Sequence, residues 1–280
     1  MEHSRVALVT GASSGIGWYT ARALAQRGDT VILVGRDTQR CAAARDRILA
    51  DVPEAQIDVR LADFASLEQV RQLATGVIAE YPQLDVLVNN AGGFYSTRQR
   101  SVDGFELTWA TNHLAPFLLT NMLIPLLRSS APARIITVSS AAHVSTGINF
   151  DDLNGERSYS GLRAYAQSKL ANILFTYELA HRLADSDVTA NALHPGFVAT
   201  GFGSNNTDLF MKLNAILQRL FAITPEQGAQ TNIFLATDPS VAQTTGRYFS
   251  NSKATASSKA SYDVTSRRRL WAISSTQTGL

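Results

Sequence analysis

The chain has 280 residues, a formal net charge of +2, 45% apolar residues and a single cysteine, Cys41. That length fits one large domain or two small ones, and the apolar fraction is enough for a sizeable core. One cysteine excludes an internal disulfide and any multi-cysteine metal site. The longest basic run, Arg267-Arg268-Arg269, reads as a solvated helix face, so no nucleic-acid partner is expected.

No apolar run approaches about 18 residues, so no membrane anchor is expected. The first strand pattern begins at residue 5, which leaves no room for a signal peptide. A soluble cytoplasmic protein is the expectation.

In chain order, RVALVT (5–10), TVILVG (30–35), QIDVRLA (56–62), LDVLVNN (84–90), RIITVSS (134–140) and VTANALHP (188–195) read as strands. They are apolar on both faces, as strands of a parallel sheet covered by helices must be. Helical patterns lie between them at 18–28, 66–81 and 160–184. Gly28 is placed to end the first helix. Alternation of this kind implies βαβ units, and hence an α/β fold: one doubly wound Rossmann-type domain over 1–280 with about seven strands. The cofactor-binding half spans about 1–140 and the catalytic and substrate part about 141–250. Ser/Thr/Ala-rich 251–261 reads as a surface loop opening the tail 251–280, with a last helix at 262–275.

The first strand runs into Thr10-Gly-Ala-Ser-Ser-Gly-Ile-Gly17 and then an amphipathic helix. The glycines Gly11, Gly15 and Gly17 permit a tight turn and close backbone approach. The helix N-terminus, with Ile16 in its first turn, then offers N–H groups to a pyrophosphate, and Ser13 and Ser14 add hydroxyls. The second strand ends in Gly35, Arg36 and Asp37. A carboxylate here suits the ribose of NAD(H) and an arginine the 2′-phosphate of NADP(H). Arg36 comes first, and Gly35 leaves space for a phosphate, so NADP(H) is favoured over NAD(H).

Residues 165–169, YAQSK, place Tyr165 and Lys169 four apart on a helix, hence on one face. Eight tyrosines and four lysines would produce such a pair by chance about one time in ten. The chain carries 21 arginines, however, and Lys169 is its only lysine before Lys212.

Together TGASSGIG, Asn89-Asn-Ala-Gly92, Val138-Ser-Ser140 and YAQSK, each at a strand end or on the helix beyond, resemble the short-chain dehydrogenase/reductase family over about residues 4–275. TNHLAPFLLT (111–120), NALHPG and the tail ASYDVTSRRRLW are most similar to its retinol dehydrogenase-like branch. The resemblance implies hydride transfer between NADP(H) and a hydrophobic carbonyl or alcohol. Tyr165 would be the general acid or base, with Lys169 lowering its pKa. Ser140 would hold the substrate oxygen, and Asn112 would support a water relay. Asp63 would meet the adenine, and Asn90, Ala91 and Gly92 the ribose and nicotinamide. Pro195, Gly196, Val198 and Thr200 would clasp the nicotinamide end.

Ser139 should point to the opposite side of its strand and reads as structural. Pro116 cannot donate the helical bond to the carbonyl of Asn112, which leaves that oxygen for a water. The branch usually carries glycine and histidine where Ala115 and Pro116 stand.

Two segments should shape specificity: 143–160, and a candidate lid at 201–224. Phe94, Tyr95, Phe202, Phe210 and Met211 are candidates for an apolar pocket accepting a hydrophobic or aromatic ketone, aldehyde or alcohol. Homodimers or homotetramers are common in the family, and the helices at 107–128 and 160–184 are the expected contact surfaces. Two alternatives stand beside this reading. One is a non-catalytic NADP-binding redox sensor or scaffold. The other is a C=C reductase resembling protochlorophyllide reductase, for which Cys41 is wrongly placed. His143, His181 and His194 have no metal-like partners at ligand spacing.

Overall fold

Strands β1 (Val6–Thr10) and β2 (Thr30–Gly35) are the VALVT and TVILVG runs, buried along nearly their whole length. In the computed structural model, which describes residues 4–196 and 223–280, they are interior strands of an eight-stranded sheet. The others are β3 (Ile57–Leu61), β4 (Val86–Asn89), β5 (Ala133–Val138), β6 (Val188–His194), β7 (Tyr248–Ser250) and β8 (Lys253–Thr255), in the order β3-β2-β1-β4-β5-β6-β7-β8. Every pair is parallel except β7 and β8. The order reverses between β1 and β4, and the crevice at such a point, beyond the C-terminal strand ends, is where α/β sheets bind ligands.

Helices cover both faces. They are α1 (Gly15–Gln26), α2 (Thr38–Asp51), α3 (Leu67–Glu80), a three-residue turn α4 (Leu107–Trp109), α5 (Ala115–Ser129), α6 (Gly161–Arg182), α7 (Pro225–Thr237) and α8 (Val264–Thr278). Side-chain caps open several of them: Asp37 accepts from the Arg40 N–H at α2, Ser66 from Gln69 at α3, and Thr224 forms a reciprocal box with Gln227 at α7. Among the described residues no helix is long and apolar enough to cross a membrane.

One expectation needs correction. The stretch 251–261 is not simply a loop. Asn251 and Ser252 take positive φ (50° and 58°), a hairpin turn that lets Lys253–Thr255 pair with β7 as the eighth strand. Beyond it, α8 packs across α5 and α6. Trp271 on α8 packs edge-on against Phe117 of α5 (5.0 Å between centroids) and stacks on Phe175 of α6 (5.8 Å). The Arg182 guanidinium lies 4.2 Å from the Trp271 ring centre. Glu178, its side chain only 3% exposed, accepts from Arg182 (2.9 Å) and from Arg267 of α8 (2.8 Å). Trp109 Nε1 donates to Gln277 (3.0 Å) and His113 Nε2 meets Ser274 Oγ (2.7 Å).

His113 is fully buried among these rings, and burial holds its pKa down to about 3. The Asn172 side chain acts in the opposite direction and pulls that pKa up.

Removing the α8 anchor by Trp271→Ala should cost about 3 kcal/mol, from lost ring packing and the cation–π contact, measured by urea unfolding. His113 carries its own pH signature. Its folded pKa lies below the ordinary 6.5, so between pH 6.5 and about 3 the unfolded chain binds the extra proton. The contribution is whole above pH 6.5 and shrinks as the pH falls through that window. His113→Asn should flatten the slope of unfolding free energy against pH there.

Candidate active site

The glycine turn is shaped by crowding. Gly11 has φ +66°, and a Cβ there would lie 2.9 Å from Ala91 Cα. A Cβ on Gly17 would come within 2.4 Å of the Gly11 carbonyl oxygen. No larger residue fits either place. Asn90 stitches this turn to β4. Its side-chain amide donates to the carbonyls of Thr10 (2.8 Å) and Gly11 (3.3 Å), so it faces the turn rather than the open cleft. Thr10 Oγ1 in return accepts from the Asn90 and Ala91 N–H groups (3.0 and 2.9 Å). Thr10 is thus part of the site, and only its place at the strand end could have flagged it.

The N-cap of α1, Ser14, makes no side-chain cap bond. The first-turn N–H groups, including those of Ile16 and Gly17, therefore receive no side-chain acceptor from Ser14, and with the partial positive charge of the helix end they suit a pyrophosphate.

At the end of β2, Arg36 is exposed and Asp37 is engaged as the cap of α2, accepting from the Arg40 N–H at 2.8 Å. The Cβ side of Gly35 is filled: a Cβ there would meet Cys41 Sγ at 2.4 Å, because the buried thiol packs onto the glycine. Cys41 is a filler of this corner, remote from Tyr165 in the sequence and on another element. Arg40, one turn into α2, reaches Ser14 Oγ of the glycine turn (3.2 Å). Ser13 lies next to Gly35 on the same side. Asp63, just beyond β3, accepts from the Ala65 N–H (2.9 Å). These groups fit an adenosine bearing an anionic substituent.

Across the crevice, the end of β5 and the start of α6 bring the second cluster together. Ser140 Oγ hydrogen-bonds the Tyr165 phenol and also accepts from the Ala142 N–H (3.2 Å). Lys169 is 4% exposed, its Nζ donates to the Val138 carbonyl (3.0 Å), and it lies 5.7 Å from the Tyr165 ring centre. Ser139 Oγ donates to the Lys169 carbonyl (2.7 Å), a purely structural bond on the opposite side of the strand from Ser140.

Burial pushes the Tyr165 phenol up to about 12, with the Ser140 hydroxyl pulling it down. Burial also draws the Lys169 ammonium down to about 8. The expectation that Lys169 lowers the Tyr165 pKa thus meets a different balance. The ammonium is turned to Val138, and desolvation outweighs any help it gives the phenolate.

Asn112 is fully buried, its amide bracketing the loop after β4: it donates to Gly93 O (2.9 Å) and Ser168 Oγ (3.0 Å) and accepts from Gly93 N–H (2.7 Å). With the side chain committed, a water relay through this residue falls to its backbone carbonyl. Pro116 cannot bond back to it, and the preceding turn is widened to a π-helix at Ala110–Leu114, with the Ala115 N–H reaching Ala110. The non-glycine, non-histidine pair at 115–116 thus sits directly after a displaced helical ladder. Gly92 lies between the two centres: a Cβ on it would stand 3.1 Å from Asn112 Oδ1 and 3.4 Å from Lys169 Nζ.

Of the pocket candidates, Phe94 stands edge-on to Tyr165 (6.0 Å), whereas the Tyr95 hydroxyl turns to Arg36. Pro195 and Gly196 follow β6 at the same sheet edge. Val198, Thr200, Phe202, Phe210, Met211 and nearly all of the candidate lid 201–224 lie outside the described residues.

Residues 5–208 match the model of the short chain dehydrogenase family. Retinol dehydrogenase 14 of Homo sapiens is 43% identical, the alignment covering 99% of this chain and 87% of the relative. A crystal structure of a putative uncharacterized protein from Mycobacterium paratuberculosis superposes with a TM-score of 0.80 at 35% identity, covering 98% of this chain and 93% of the other. The Pseudomonas aeruginosa RhlG/NADP active-site complex gives a TM-score of 0.71 at 29% identity, covering 89% and 94%. With the glycine turn, the serine, the tyrosine and the lysine set at one sheet edge, the chain belongs to the short-chain dehydrogenase family.

Proposed function

We propose that the protein is an NADP(H)-dependent oxidoreductase that transfers a hydride between nicotinamide and a hydrophobic or aromatic aldehyde or ketone, or the matching alcohol. The observation that carries the reading is the Ser140–Tyr165 hydrogen bond beside the buried Lys169, at the edge that also carries the glycine turn. Bound nicotinamide supplies or accepts the hydride. The chain's own residues orient the carbonyl and manage one proton. Ser140 holds the substrate oxygen by donating its hydroxyl hydrogen, and Tyr165, protonated near neutral pH, delivers the proton to that oxygen as negative charge develops on it. Lys169, poised near pH 8, refills Tyr165 by way of water held at the Asn112 carbonyl.

NADP(H) is favoured over NAD(H) because Arg36 is exposed at the end of β2 and the Arg40 guanidinium reaches Ser14 of the glycine turn, while Asp37 is occupied as a helix cap. The NADP complex of the Pseudomonas aeruginosa relative supports the same choice. Phe94 beside Tyr165 offers an apolar wall, and the retinol dehydrogenase relatives make a polyene aldehyde one member of the substrate class to test.

Consumption of NADPH with a panel of aromatic and polyene aldehydes and ketones tests the reading. Tyr165→Phe should lower kcat by about 10²–10⁴-fold while cofactor affinity stays within about twofold. An inactive wild-type protein that still binds NADPH tightly would instead favour a sensor.

Arg36→Ala should weaken NADPH binding by about 10–100-fold, the worth of a charge-assisted contact, and leave NADH nearly unchanged, read by cofactor fluorescence titration. Equal loss for both cofactors would remove the 2′-phosphate assignment. The pH dependence has a definite sign. Reduction needs protonated Tyr165 and Lys169 and should decline as the pH rises past about 8. Alcohol oxidation needs the proton gone and should rise over the same range.

A further inference from the structure

His143 lies three residues beyond Ser140, in the short 3₁₀ turn Ala141–Ser145. Its side chain is 2% exposed, with the ring 5.1 Å from that of Tyr248. The Ser140 carbonyl accepts twice from this residue, from the His143 backbone N–H (3.1 Å) and at ring Nδ1 (2.7 Å). Ring Nε2 receives the backbone N–H of Ser258 (3.0 Å). A backbone N–H can only donate, so Nε2 carries the lone pair and the proton sits on Nδ1, pointing at the Ser140 carbonyl. The imidazole is thereby fixed in one neutral tautomer.

Ser258 belongs to the serine-rich segment that the sequence pattern presents as a plain loop. In the fold it is a polar clasp. Ser257 Oγ meets Tyr177 Oη (2.8 Å) and Ser261 Oγ (2.6 Å), and Ser261 Oγ donates to the Ser258 carbonyl (2.6 Å). The Tyr262 hydroxyl accepts from the Ser257 N–H (3.1 Å). The segment thus docks on α6 through Tyr177 and on the turn after β5 through His143.

We propose that His143 is a positioning residue that ties the docked 257–262 segment to Ser140 and so sets the direction of the Ser140 hydroxyl. The proposal rests on the reading that Ser140 meets the substrate oxygen. The Val138–Ser139 peptide is already held, by Ser139 N–H on Leu193 O (2.7 Å). His143 holds the carbonyl of the peptide after Ser140, whose Ala141 N–H donates to His194 Nδ1 (3.3 Å), and with these planes fixed the Ser140 hydroxyl, accepting from the Ala142 N–H (3.2 Å), is presented to Tyr165. A reacting group displaced by about 1 Å loses up to 10²-fold in rate, so loosening one of these planes is felt in kcat before it is felt in binding.

The test uses the full chain, NADPH and an aromatic aldehyde from the panel. Ser258→Pro removes the donor N–H, together with a hydroxyl that has no hydrogen-bond partner, at a residue whose φ of −65° proline can adopt. It should lower kcat about tenfold, with KM and NADPH affinity within about twofold. His143→Ala should lose more, and the double variant no more than His143→Ala alone, because both act through one link. His143→Asn, which can keep a donor near Nδ1, should recover part of the loss.

Histidine ¹⁵N NMR gives a reading independent of turnover. The wild type should show His143 protonated at Nδ1 only, and Ser258→Pro should move its Nε2 signal. Wild-type kcat in Ser258→Pro, additive losses in the double variant, or a proton on Nε2 would each overturn the proposal. A wild-type enzyme inactive on the whole panel would count against the function reading instead. The NMR result would then still decide whether the link exists, and it also decides should His143→Ala fail to fold.

Discussion

Helix α6 is clasped to the end of β5 by three buried hydrogen bonds, and the geometry of the site depends on that clasp. Lys169 Nζ and the Asn172 amide both donate to the Val138 carbonyl (3.0 and 3.4 Å), while Ser139 Oγ donates to the Lys169 carbonyl (2.7 Å). Parallel strands in this sheet end with carbonyls that no further strand pairs, and buried polar groups left without partners are costly. The clasp removes that cost and at the same time fixes the rotation of α6 about its axis. Tyr165, one turn before Lys169, is then delivered to Ser140, one residue beyond Ser139. A helix seated by apolar contacts alone could slide; one seated on a strand-end carbonyl cannot move without exposing it.

Much of this was legible in the sequence because it follows from local rules. Six strands declared themselves as short aliphatic runs, since a strand buried on both faces has little choice of composition. Gly11 and Gly17 announced the turn because no Cβ fits there. The Tyr165–Lys169 spacing announced a shared helix face. What stayed hidden depends on partners far away in the chain. Lys253–Thr255 is a strand only because Asn251 and Ser252 form the turn that returns it to β7. The packing of Cys41 from α2 onto the Cβ side of Gly35 shows in no local pattern. Nor does the bonding of the Asn90 side-chain NH2 to the carbonyls of Thr10 and Gly11. In each case an isolated side chain offers two uses, and only the tertiary neighbour selects one.

The C-terminal segment shows the same principle on a larger scale. Serine and alanine in 251–261 give no periodicity, and such composition is ordinarily a solvated loop. Here the hydroxyls pair with one another and with Tyr177, which makes the segment a satisfied polar layer against α6. Beyond it α8 crosses α5 and α6 and seats Trp271 between Phe117 and Phe175. The outer surface of these helices is thus partly closed from within the chain. The tail is tied to the site at two levels, through packing on α6 and through His143 on the turn that carries Ser140.

The choice of lysine at 169, in a chain that otherwise prefers arginine, follows from what this pocket offers. The described hydrogen-bond partner of the cation is one carbonyl, that of Val138, and the group is 4% exposed. An ammonium can aim one donor at that oxygen and, through desolvation, approach a pKa near 8 at which it gives up and regains a proton. A guanidinium would bring five donors in a rigid fork into a space with few acceptors, and would keep its charge at any ordinary pH. Arg36 and Arg40 are exposed, and a fork meets no such limit there. At 169 the position demands a compact cation whose proton is negotiable. The same physical property that makes burial of Lys169 costly is therefore what fits it to stand behind Tyr165.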